Sequence, residues 1–180
     1  MSDALERYRA VVFDLDGTLV RLVVDWDAVY EDAAETLATH GVESPNSLWG
    51  ILEIADEHGI RSAIEEVISA HEREGAANAE RLPAADTVPD LPVAVCSLNC
   101  EAACRIALST HEIPGIDAIV GRDTVSTEKP DPGPLLEAID RLGVDPSETV
   151  FVGDTDRDAK TASRAGVDYL DVSAWLRAYR

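Results

Sequence analysis

Ala10-Val11-Val12-Phe13-Asp14-Leu15-Asp16-Gly17-Thr18-Leu19 is the stretch on which the fold turns. Its first four residues, apolar and rich in β-branched valine, read as a short strand buried on both faces. That strand runs into two carboxylates spaced i, i+2, then a glycine and a hydroxyl. Continued alternation places Asp14 and Asp16 on one side. Like charges that close repel unless a cation or a bound proton intervenes. Gly17 permits a sharp turn immediately afterwards. The expectation is an acidic cluster at the carboxyl end of a buried strand, where open α/β sheets hold their ligands.

Downstream, apolar strands at 92–96, 117–120, 149–152 and 169–172 alternate with helical patterns at 101–110, 134–142 and 158–165. Such alternation predicts a parallel sheet with helices on both faces. Upstream of that core lie three helices with no strand between them. The first covers 27–40, with Val29, Ala33 and Leu37 on one face and Gly41 as its stop. The second covers 47–58, capped by Asn46 and closed by Gly59. The third carries Ile60, Ile64, Val67, Ile68 and His71 and runs past Gly75 toward Arg81. Three prolines mark 82–92 as a linker. The predicted fold class is therefore α/β: a Rossmann-like parallel sheet core, residues 1–20 and 85–180, with a small all-helical cap inserted at 21–84.

Each polar cluster falls just after a strand: Asp14 and Asp16, then Ser97 and Asn99, then Asp154 and Asp158. Carboxyl ends of parallel strands share one edge, so these clusters converge. Ser97 could donate to a phosphoryl oxygen, although a serine at a strand end also serves as a helix cap. Glu128-Lys129-Pro130-Asp131-Pro132 holds a lysine on a proline-stiffened loop, where a fixed ammonium can balance clustered carboxylates and an anionic substrate. A solvated loop lysine is the alternative. Val150-Phe151-Val152-Gly153-Asp154-Thr155-Asp156-Arg157-Asp158 is no calcium loop, because its sixth and twelfth positions are Ala159 and Ala165. Asp156 and Lys160 read as solvated.

Asp-Leu-Asp-Gly-Thr at 14–18, Ser97, Lys129-Pro-x-Pro and Gly153-Asp-x-x-x-Asp resemble, in order, the four motifs of the haloacid dehalogenase-like (HAD) hydrolases. The third resembles the phosphoglycolate phosphatase-like branch. The resemblance implies a phosphatase with Asp14 as nucleophile and Asp16 as acid and base. It also implies phosphate binding by Ser97, Asn99 and Lys129. Mg²⁺ would be held by Asp14, Asp16 through its carbonyl, and Asp154, with Asp158 in support. A carboxylate at Asp16 argues against a dehalogenase. The implied substrate is a small phosphorylated metabolite, with 2-phosphoglycolate as the best guess. Arg21, close behind the nucleophile loop, could reach its carboxylate, or could be a hinge arginine paired with a surface acid. Rival readings are a β-phosphoglucomutase-like phosphotransferase, a non-catalytic phosphate-binding relative, and a receiver-type signalling module, which would not explain the helical insert.

Composition bounds the rest. With 180 residues and 46% hydrophobic content the chain is large enough for one core. A net charge of −20 disfavours nucleic acid and anionic membrane as partners. Of 15 basic residues only Lys129 and Lys160 are lysine, an acid-rich, lysine-poor composition resembling that of salt-in halophiles. The first residues, Met1-Ser2-Asp3-Ala4, carry no signal-peptide pattern, which leads to a cytoplasmic expectation. Cys96, Cys100 and Cys104 read as buried thiols rather than zinc ligands or disulfides.

Overall fold

A computed structural model describes residues 5–179; the Met1–Ala4 segment and Arg180, on which part of the leader and domain-boundary expectations fall, lie outside the described residues. Strand β1 (Ala10–Phe13) forms the centre of a five-stranded sheet. Its neighbours are β4 (Val93–Cys96) and β6 (Thr149–Gly153), and β5 (Ala118–Val120) and β7 (Asp168–Asp171) form the edges, in the order β5-β4-β1-β6-β7. All four pairings are parallel, and the register sets Val11 opposite both Val93 and Val150. The β1, β4 and β6 side chains are all buried, as continuous apolar runs require in a sheet covered on both faces.

One face of the sheet packs against α4 (Glu101–Thr110) and α7 (Val172–Tyr179). The other packs against α5 (Gly133–Leu142) and α6 (Asp156–Ala165). The C-terminal helix α7 was not anticipated from sequence. It is short, and only Trp175 on it is fully buried. That one side chain settles its place: the indole meets the edge of Phe13 at 5.3 Å and donates to Thr87 Oγ1 at 2.7 Å.

Three helices are inserted after β1: α1 (Trp26–Thr39), α2 (Leu48–Glu57) and α3 (Arg61–Ala77). They form an apolar cluster of their own from Val29, Ala33, Leu37, Ile51, Leu52, Ala55, Ile64 and Ile68. Two expectations at their ends need correction. The α2 N-cap is Ser47, whose hydroxyl accepts from Gly50 N, and not Asn46. Helix α3 stops at Ala77 instead of running to Arg81, because Glu80–Arg81 forms strand β3, antiparallel to β2 (Val20–Arg21). This two-residue ribbon joins the outgoing and returning chains, and neither half is long enough to show a period in the sequence. The proline-rich return contains a turn of 3₁₀ helix at Pro83–Thr87. No described helix is long and apolar enough to cross a membrane.

Candidate active site

Asp14 leaves the end of β1, with its N–H bonded to Val152 O on β6 at 2.8 Å. The strand ends at Phe13, so the alternation expected to align Asp14 with Asp16 does not continue. Asp14 points inward. Asp16 instead accepts from Leu22 N at 2.8 Å on the side of the inserted helices. Between them the chain turns at Gly17, with φ of 88°. A Cβ there would lie 2.2 Å from Asp154 Oδ2, so only glycine lets the two loops meet.

Lys129, 3% exposed, is not the solvated loop lysine of the alternative reading. Its ammonium donates to Asp14 Oδ1 at 2.7 Å and Asp158 Oδ1 at 2.6 Å, and lies 5.5 Å from the Phe151 ring centroid. The second oxygen of Asp158 accepts from Thr155 N and Oγ1, closing a capping box at the start of α6. Asp158 thus fixes both the helix and the lysine. Asp14, Asp154 and Asp158 bring one carboxylate oxygen each within 4.8 Å of one another, and Asp16 is not in this trio. Asp156 and Lys160 are exposed, as read from sequence.

Three carboxylates against one ammonium leave two formal negative charges. Burial pushes Asp14 up to about 7, against the pull of Lys129 and with a further push from Asp158. Burial works against the Lys129 ammonium, yet Asp14 and Asp158 raise its pKa above the lysine range. Asp154 is raised by burial and by Asp158. An oxygen cluster with excess negative charge, on two loops that Gly17 lets approach closely, suits a hard divalent cation.

Ser97 and Asn99 follow β4 and are buried. Ser97 Oγ donates to Asn99 Oδ1 at 3.2 Å and accepts from Asn99 N at 3.1 Å. The amide nitrogen of Asn99 reaches Glu72 Oε1 on α3 at 3.5 Å. Arg21 stands apart: its side chain is 63% exposed and its guanidinium faces Glu80 Oε2 at 3.4 Å, the geometry of the hinge-arginine alternative.

A haloacid dehalogenase-like hydrolase family profile matches residues 8–166. The chain belongs to that family. It is 31% identical over 180 residues to a phosphoglycolate phosphatase of Aquifex aeolicus, covering 88% of this chain and 81% of that one. It is 29% identical to the fructose-1-phosphate phosphatase YqaB of Escherichia coli, covering 93% and 97%. The fold is shared with CbbY of Rhodobacter sphaeroides, solved with phosphate, at a TM-score of 0.64 and 24% identity over 91% of this chain and 85% of that one.

In this family member the inserted helices close over the acidic edge, and part of the site went unread in the sequence. Glu72 of α3 is 1% exposed. It accepts two hydrogen bonds from the Arg122 guanidinium, one of them Nη2 to Oε2 at 3.1 Å, and a third from Cys100 N at 2.9 Å. Arg122, just after β5, also donates from Nε to Glu65 Oε2 at 2.9 Å and from Nη1 to Leu98 O at 2.8 Å. Glu72 continues the stripe Ile64, Ile68, and an acid in an apolar stripe was the signal available. Nothing in the sequence paired it with Arg122. Asp16, Asn99, Glu72 and Arg122 form the polar lining of a cavity of about 200 Å³ between insert and core. Trp26, Trp49, Leu52 and Ile68 supply its apolar walls.

Proposed function

We propose that the protein is a Mg²⁺-dependent phosphatase that hydrolyses a small phosphomonoester through an aspartyl-phosphate on Asp14. The observation that carries this is the position of Asp14: a buried carboxylate held by Lys129 within the acidic trio, two residues before Asp16, which lines the cavity. Asp14, Asp154 and the Asp16 carbonyl would hold the cation, with Asp158 in support, and the cation would neutralise carboxylates and phosphoryl oxygens.

This chain's own residues supply the remaining chemistry. Lys129 favours the ionised form of Asp14 against the effect of burial and orients it, and its ammonium is positioned for a phosphoryl oxygen. An Asp14 oxygen attacks phosphorus as the P–O bond to the leaving group breaks. Asp16 gives its proton to the leaving oxygen, then takes one from the water that attacks the phosphoenzyme and returns Asp14. Burial raises Asp16 against the Leu22 N–H, and Asp154 adds to the rise, favouring the protonated form this step needs. Ser97, with Asn99 bracing its hydroxyl, binds a phosphoryl oxygen. The inserted helices serve as a cap that excludes bulk water.

A small phosphorylated metabolite fits a cavity of this size. The relatives are named for phosphoglycolate and for fructose 1-phosphate, leaving groups that differ in charge. They support a small ester, and 2-phosphoglycolate remains within that class. The test is phosphate release from a metabolite panel with Mg²⁺, silenced by EDTA, together with intact-protein mass spectrometry of the Asp16→Asn variant given an activated phosphate donor. A phosphate adduct confined to Asp14 is expected. Turnover unaffected by EDTA, or no adduct under any donor, overturns the reading.

A further inference from the structure

The cavity beside Asp16 bears on which leaving group the site takes. It has one lining cation, Arg122, and that cation is already matched. Its Nε is bonded to Glu65, Nη1 to Glu72 and Leu98 O, and Nη2 to Glu72, so two carboxylates balance one guanidinium. Three other cations are engaged without lining the cavity. Arg21 is exposed on Glu80, Lys129 is bonded to Asp14 and Asp158, and Arg157 stacks on Trp49 at 4.7 Å without lining the cavity. With Asp16 carrying the proton it gives to the leaving group, Glu72 against Arg122 leaves the lining with no net positive charge. A carboxylate entering beside the phosphoryl group would therefore lose its water with no free cation to replace it.

The apolar walls point the same way. Trp26 and Trp49 are 45% and 43% exposed, two of only four large apolar side chains so exposed among the described residues. Both line this one cavity, along with Leu48, Leu52, Ile68 and Leu98. Aromatic surface left in water at the wall of a cleft is the usual provision for an apolar ligand body. The volume of about 200 Å³ is a little above the roughly 150 Å³ of an apolar cavity that admits benzene, the space of a single ring.

We infer that this cavity takes an uncharged, mostly apolar alcohol of about one ring as the leaving group, in preference to a carboxylate-bearing one such as glycolate. The inference rests on the phosphatase reading above. With water, the ester yields the free alcohol and inorganic phosphate. Selectivity arises because only the neutral alcohol fills the tryptophan-walled space without stranding a charge.

The experiment compares benzyl phosphate with 2-phosphoglycolate, two esters of primary alcohols, and uses acetyl phosphate as a donor that needs little of the cavity. In parallel, tryptophan fluorescence follows titration with benzylphosphonate and with phosphonoacetate, which are not hydrolysed. At least a tenfold higher kcat/KM for benzyl phosphate and a tenfold lower Kd for benzylphosphonate are expected. Trp26→Ala and Trp49→Ala should each shrink both preferences severalfold. If acetyl phosphate is hydrolysed in an Asp14-dependent way while phosphoglycolate matches or exceeds benzyl phosphate, or a sugar phosphate outruns both, the cavity inference falls and the phosphatase reading stands. If no donor gives Asp14-dependent phosphate, both fall.

Discussion

Asp14 meets two opposed demands: a nucleophile must be ionised, and burial resists ionisation. Without a cation the carboxyl is pushed up to about 7 from its ordinary 3.8. Below about pH 4 both folded and unfolded chains hold this proton. Between about 4 and 7 the unfolded carboxyl ionises while the folded one keeps its proton, so this group costs stability as pH rises through that window. A divalent cation that binds the ionised form should remove that cost. The rise in thermal midpoint on adding Mg²⁺ is therefore expected to grow between pH 5 and pH 8, and an increment independent of pH would contradict it. Asp14→Asn should lower phosphate release more than a hundredfold without lowering stability, since it removes the nucleophile and also relieves repulsion with Asp158. Activity within tenfold of the parent would refute the assignment. Lys129→Met strands two buried carboxylates and should cost about 3–5 kcal/mol in urea unfolding, partly restored by Mg²⁺.

Helix α3 packs against two partners along its length. Ile64 and Ile68 close the cluster of inserted helices, while Ser69, Glu72, Gly75 and Ala76 are buried toward the core. Gly75 lets the chain cross closely, since a Cβ there would meet Val23 O at 2.7 Å. The Glu72–Arg122 pair fastens the C-terminal half of α3 to the loop after β5 with both side chains out of water. Burial works against the Arg122 charge, but Glu72 and Glu65 raise its pKa, so it stays ionised. Removing one partner leaves a buried charge unmatched. Arg122→Met is accordingly expected to cost about 3 kcal/mol, and the double variant Glu72→Leu/Arg122→Met less than the sum of the two singles. A double-mutant cycle in urea checks this, with additivity as the contrary outcome. Opening of the insert should also show as faster amide exchange along α3 in the single variant.

Across the whole molecule the net charge of −20 is carried by a 180-residue chain whose surface ion pairs are mostly exposed and individually weak. Self-repulsion at that density is screened as the Debye length falls from about 10 Å at 0.1 M to about 3 Å at 1 M salt. The thermal midpoint should rise by about 5 °C between 0.1 and 2 M KCl, on the order of 1–2 kcal/mol for a domain of this size. A flat midpoint would show that the acidic surface is not a salt adaptation.

The sequence by itself determined the parallel sheet, the three inserted helices and the strand-end placement of Asp14, Ser97 and Asp154, because these depend on local period and on the shared edge of parallel strands. That Lys129 is buried against Asp14 and Asp158 was decided by the tertiary structure. Turn chemistry was legible where one residue forces it, as at Gly41, whereas the cap of α2 is Ser47 and not the expected Asn46. Only the tertiary structure decided that Asp14 and Asp16 face different partners, since strand alternation stops where the backbone leaves the sheet. The ribbon of β2 and β3 and the burial of Trp175 likewise required their distant partners. So did the Glu72–Arg122 pair: side chains fifty positions apart meet only once the inserted helices have folded back onto the core. The polarity of the cavity, and with it the leaving group, follows from that meeting, because whether Arg122 is free to bind a substrate carboxylate depends on what else it touches.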